Sequence, residues 1–253
     1  MLDTTDITDF TKETKFCDFN NSNIKEIASK IASFYISDNE KAEGFFYWVK
    51  ENIKFEFGYW GIKASDVLPR RVGMCTNKAN LLIAFLRSQN IPAGYGILRV
   101  DTKEFYQKLM CPIFRKMVSP TTTHIYIGIF LNKKWVRCDP SVDGGLVKAL
   151  KEEAPFAALT GFDISDNEIE NIHGILKRDE FIANIDENLN KPPKHAKGIT
   201  LEILNSYLKF LREQKEAIRD LSDYQTENNF LEWLSKKNIN HFNFIKNIKS
   251  ENT

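Results

Sequence analysis

The stretch THIYIGIFLNKKWVRCDPS, Thr123 to Ser141, restricts the fold more than any other part of the chain. Ile125, Ile127, Ile129 and Leu131 fall on one side of an extended strand, and His124, Tyr126, Gly128 and Phe130 on the other, the period-two pattern of β structure. Asn132 and Lys133 suit a tight turn, after which Trp135, Arg137 and Asp139 alternate with Val136 and Cys138. A two-residue loop pairs Leu131 with Lys134 and sets Asp139 opposite Tyr126, making Asp139 the same-face diagonal neighbour of His124. A three-residue loop would reverse the parity, so the juxtaposition depends on register.

Upstream, RRVGMCTNKANLLIAFLRSQNIPAGYGIL places Cys75 where a loop turns into an apolar helix. Ala79, Leu82, Ile83, Phe85 and Leu86 give the helical period, and Asn90 and Pro92 end it. Such a helix must be mostly buried, and AGYGILRV after it reads as a strand. Two further helices precede it: NIKEIASKIASFYIS, with Ile24, Ile27, Ile31 and Phe34 in phase, and NEKAEGFFYWVKENI, which brings Phe45, Phe46, Trp48 and Val49 inward. The Gly58, Gly61 and Pro69 spacing predicts a loop leading to Cys75. Residues 101–123 show no clear period, which fits either a functional flap or a short helix around KEFYQKLM followed by coil.

These elements predict an α+β fold: N-terminal helices packed on an antiparallel sheet, with a C-terminal helical segment. The expected organisation is an N-terminal arm at 1–22, a main domain at 23–190 and a helical extension at 191–253. KPPKHAKG has the composition of a linker, and Leu201, Leu204, Leu208, Leu211, Ile218 and Leu221 then recur at helical spacing. A last helix follows around NNFLEWLSKK, and the charges of this pair read as a solvated face.

Charge and composition narrow the function. Lys and Arg number 35 against 34 Asp and Glu, a net charge of +1, so nothing suggests electrostatic capture of nucleic acid. No apolar run approaches the about 18 residues of a membrane span, and the polar, acidic opening MLDTTDITDF is unlike a signal peptide. The expectation is a cytoplasmic protein without a membrane role. Four dispersed cysteines, Cys17, Cys75, Cys111 and Cys138, favour free thiols over disulfides and lack the close pairs of a structural zinc site. No EF-hand loop or phosphate-binding glycine motif occurs, so no metal or cofactor is expected.

A thiol attacks carbonyls as the thiolate, which a helix N-terminus and a nearby imidazolium stabilise. Cys75 has the helix, with Gly73 allowing close backbone approach. His124 begins a strand that could lie against that helix, whereas His173, His195 and His241 lie in less ordered contexts. Asp139 is within reach to fix the imidazole tautomer. Each piece alone has a plain structural reading, as core cysteine, strand histidine or turn aspartate. Together they form the order expected of a thiol triad.

The run from Phe45 to Val142 resembles the transglutaminase-like superfamily. Cys75 follows a glycine-containing turn and opens a helix ending in NIPAG, His124 starts a strand with the aromatic Tyr126 two residues on, and WVRCDP matches the tryptophan strand and aspartate-proline. The resemblance implies a papain-like core with Cys75, His124 and Asp139 as catalytic triad. It further implies acyl transfer through a Cys75 thioester, on a peptide, protein or small acyl or amine substrate. Water as acceptor would make a protease, amidase or deamidase, the first expectation; an amine would make an amide-forming acyltransferase. A catalytically silent interaction module is the remaining alternative. Tyr59 and Trp60, on the loop before Cys75, are candidates for the cleft wall or an oxyanion-side contact, or for plain core packing. Two departures from the family pattern occur: Gly128 where an acidic residue is common, and GYG after Ala93 where an arginine is frequent. The oligomeric state is not legible.

Overall fold

The hairpin forms in the two-residue register. Strands β4 (Thr121–Leu131) and β5 (Lys134–Cys138) are antiparallel, with Leu131 opposite Lys134 and Ile127 opposite Cys138. Asn132 and Lys133 both have positive φ, 50° and 64°, the primed turn whose twist matches that of a hairpin. The structure, a computed structural model, describes residues 7–110, 113, 115, 118–150, 159–190, 198–218 and 220–237. Cys111, His195, His241 and most of the KPPKHAKG segment lie outside the described residues.

The remaining strands are β1 (Lys54–Phe55), β2 (Val72–Gly73), β3 (Ala93–Asp101) and β6 (Ile175–Ile182). A four-stranded antiparallel sheet runs in the order β5-β4-β3-β6, while β1 and β2 form a separate parallel pair. The architecture is therefore α+β with an antiparallel sheet. Helices α1 (Ser22–Ala32), α2 (Asp38–Asn52), α3 (Ala64–Arg70) and α4 (Cys75–Ser88) cover one side, packing against Ile125, Ile127 and Ile129. Residues Cys75 to Arg87 of α4 are all buried, so this helix is the centre of the first core.

A second core covers Leu98, Val100 and Tyr126. It is built from α5 (Thr102–Tyr106), α6 (Gly144–Leu150), α7 (Asp166–Glu170), α9 (Ile199–Ile218) and α10 (Asp223–Lys236); α8 (Asp186–Leu189) adds Leu189 to the first core. The C-terminal helices thus share a core with residues from Phe55 to Ile172. Burying both faces explains why β4 is apolar on each side rather than amphipathic.

The structure refines several local expectations. Phe34 is in phase with α1 but lies beyond its end and is 75% exposed, because the helix stops at Ala32. Pro69 does not break the loop before Cys75; it sits in the last turn of the short helix α3, which Arg71 closes at φ 57°. Residues 7–21, read as an arm, lie on the core through Phe10, Phe16 and Cys17. The 101–123 segment begins with the short helix α5 and a 3-10 turn at Gln107–Leu109.

Candidate active site

Cys75 is the first residue of α4. Met74 before it is extended, and Gly73 runs so close to the helix that a Cβ there would lie 2.8 Å from that of Asn77. Asn77 organises the approach: its Oδ1 accepts from the Met74 amide (2.9 Å), and its Nδ2 donates to the carbonyls of Trp60 (2.8 Å) and Tyr59 (3.3 Å). The loop bearing Tyr59 and Trp60 is therefore tied to the turn that presents the thiol. A helix start leaves its first amides without intrahelical partners, so Cys75 sits at a positive backbone end.

His124 Nε2 lies 2.6 Å from Asp139 Oδ2, both side chains fully buried. The other Asp139 oxygen accepts from the Ser141 amide (2.8 Å) and the Ser141 hydroxyl. With Nε2 facing Asp139, Nδ1 is the ring nitrogen that can serve Cys75, whose charge acts on the imidazole. Burial works against a charged His124, but the Asp139 carboxylate, Cys75 and the hydrogen bond to Asp139 outweigh it and hold the pKa at about 10. The three residues read from the sequence as a triad thus come together, and the arrangement can hold an imidazolium beside a sulfur.

Tyr59 is part exposed, and its ring stacks on Trp60 at 6.4 Å. Trp60 packs against the first core, yet its buried Nε1 has no hydrogen-bond partner among the described residues. Cys17, Cys75 and Cys138 are free thiols, and no group of three metal-ligating side chains converges among the described residues.

Other residues at the site had not been singled out. Phe105 and Tyr106 of α5 pack on the His124 ring at centroid distances of 5.3 and 6.5 Å. Lys78, one turn along α4 from Cys75, is buried and donates to the carbonyls of Lys50 (3.1 Å) and Ile53, closing the end of α2. Burial lowers its pKa to about 7 against the raising effect of Asp143 and Asp139. Asp143 accepts from the Phe55 amide (3.0 Å) and from Arg212 of α9 at both oxygens, Nε to Oδ1 at 3.1 Å and Nη2 to Oδ2 at 2.6 Å. Arg212 also donates to the Phe55 carbonyl at 2.6 Å. A charge on an amphipathic helix looks solvated in sequence, and only the fold reveals this one as half-buried against Asp143.

The two departures noted in the sequence have a packing role. A Cβ on Gly128 would sit 2.5 Å from the Phe181 ring, and one on Gly96 2.2 Å from the Tyr126 ring, so both glycines make room for aromatic side chains on the sheet.

Residues 25–140 match the model of the transglutaminase-like superfamily, so this part of the chain is similar to that superfamily. That superfamily is usually enzymatic, with cysteine-dependent chemistry. Among solved structures, the chain is similar to a candidate cysteine protease from Cytophaga hutchinsonii, with 21% identity and a TM-score of 0.43, covering 55% of this chain and 43% of that one. This chain thus spans less than half of that protein. No curated protein matches. Among the described residues no helix is long and apolar enough to cross a membrane.

Proposed function

We propose that this protein is a thiol-dependent acyl-transfer enzyme in which Cys75 is the nucleophile, His124 the acid–base and Asp139 the orienting carboxylate. The observation that supports it most is the buried His124–Asp139 hydrogen bond beside a cysteine that opens a helix. Cys75 Sγ attacks the carbonyl carbon of an amide or thioester, and the leaving amine or thiol takes its proton from His124. His124 then removes a proton from water, which attacks the thioester carbonyl, frees the acid and returns the thiol. The Cys75 amide and the unpartnered Trp60 Nε1–H are suited to the developing oxyanion. Hydrolysis is the preferred outcome because water needs no second binding site; an added amine competing for the thioester would instead form an amide.

The test is iodoacetamide labelling of Cys75 across pH, read by peptide mass spectrometry, in wild type and His124→Ala. A labelling rate that holds its level well below pH about 8.5, and in the variant falls off with the pH of an ordinary thiol, is expected of a thiolate–imidazolium pair. Ordinary thiol titration in both proteins would refute the reading. A thioester donor supplied with and without a primary amine then separates acid from amide as product.

A further inference from the structure

Cys75 is 5% exposed, and His124 and Asp139 are 0% exposed. A planar carbonyl cannot reach the sulfur of such a pair, so an acyl donor needs some element to move away. We infer that residues 102–109, between β3 and β4, are a lid over the Cys75–His124 pair, and that the C-terminal helices hold it shut. This regulation rests on the thiol–imidazole reading above.

The covering residues identify the lid. Phe105 and Tyr106 stand against the His124 ring, and Tyr106 is close enough to Cys75 and Asp139 for their charges to disfavour its own ionisation, adding to the effect of burial. Both come from one short helix rather than from the sheet or α4, so they can leave without disturbing Cys75 or His124. The next residue, Gln107, has φ 32° and ψ −115°, a conformation that side chains avoid and that costs about 1–3 kcal/mol unless neighbours impose it.

The C-terminal helices impose it, one directly and one through Arg115. Tyr207 of α9 donates its hydroxyl to the Lys108 carbonyl at 3.2 Å. Arg115 donates to the Gln107 carbonyl at 2.7 Å and is itself paired with Asp223 at the start of α10. Phe105 and Leu109 are buried in the core that Tyr207, Phe230 and Trp233 complete. A strained turn held at one carbonyl by Tyr207, and at the preceding one by an arginine that Asp223 anchors, is poised to spring open when the grip is removed. The C-terminal pair therefore acts as a latch on the site.

The test compares rates of iodoacetamide labelling at Cys75 in the full chain. Tyr207→Phe combined with Asp223→Asn removes the hydroxyl bond and the Arg115 anchor while leaving shapes intact, and is expected to speed labelling about ten-fold. Gln107→Gly accepts the strained conformation and stabilises the closed lid, so labelling is expected to slow several-fold. Cys17 and Cys138, fully buried, report general unfolding in the same digest. Unchanged rates in both variants would overturn the lid, as would a rise in which all three cysteines accelerate together. Should the double variant fail to fold, the direction of change in Gln107→Gly decides alone. Variant-to-wild-type ratios at one pH are independent of whether His124 activates the thiol, so the lid is judged on these ratios and the proposed chemistry on the pH profile of labelling.

Discussion

Replacing Arg212 with methionine keeps the aliphatic stem and removes every donor that reaches Asp143 and the Phe55 carbonyl. The Asp143 side chain is 7% exposed, so water cannot replace what is lost. Breaking a buried ion pair from one side costs about 3–5 kcal/mol, a large share of the about 5–15 kcal/mol that holds a typical domain together. Urea unfolding at pH 7, followed by tryptophan fluorescence, should show a lower midpoint with an unchanged slope. The sign of the pH dependence sharpens the test. In the wild type burial pushes the Asp143 carboxyl up, but Arg212, the Phe55 amide and Lys78 prevail and hold it below the ordinary carboxylate range. Its stabilisation is present above the unfolded pKa and is lost as pH falls through the folded one. Without Arg212, burial dominates, the folded pKa rises, and the variant recovers as Asp143 takes up a proton. The gap between the two proteins should therefore narrow from pH 7 towards pH about 4. A loss below about 1 kcal/mol, or a gap constant over that range, would refute the view that Asp143 is a buried anion held by Arg212.

Two further outcomes are expected. His124, raised to about 10, stabilises fully below its unfolded pKa, and this is lost as pH rises through 10; Lys78, lowered to about 7, does the reverse, its burial penalty easing as pH climbs from 7. Lys78→Met should unmask a stability that falls between pH 7 and 10, and urea midpoints that fall no more steeply than in wild type would contradict it. Asn77→Ala removes the bonds to Met74, Tyr59 and Trp60 and should cost about 2–3 kcal/mol, with Trp60 becoming more accessible to acrylamide quenching; unchanged quenching would mean the loop is held by other contacts.

The parts of the site that could be read from sequence are those written in short-range patterns. The β4–β5 register follows from strict alternation around Asn132-Lys133, two residues that tolerate positive φ. The α4 helix follows from a 14-residue apolar period with a clear stop. β6 was not legible because ILKRDEFI carries Lys177, Arg178, Asp179 and Glu180 on an edge strand, where charge masks alternation. α5 spans five residues, too few for any period to emerge, so a flap and a short helix around KEFYQKLM fit the sequence equally well. Arg212 and Asp143, 69 residues apart, each fit a solvated position locally, and only tertiary packing makes them a pair.

The shared second core has a consequence for how the candidate site can be moved between proteins. The transglutaminase-like stretch ends at residue 140, one position short of the Ser141 that braces Asp139 and well short of β6 and Arg212. Excised at that point, the piece would keep all three candidate catalytic side chains but strip Leu98, Val100 and Tyr126 of their cover and leave β3 as a raw edge open to pairing with other chains. The stretch that holds the candidate triad is shorter than the stretch that shares its cores, and grafting or truncation should follow the second boundary rather than the first.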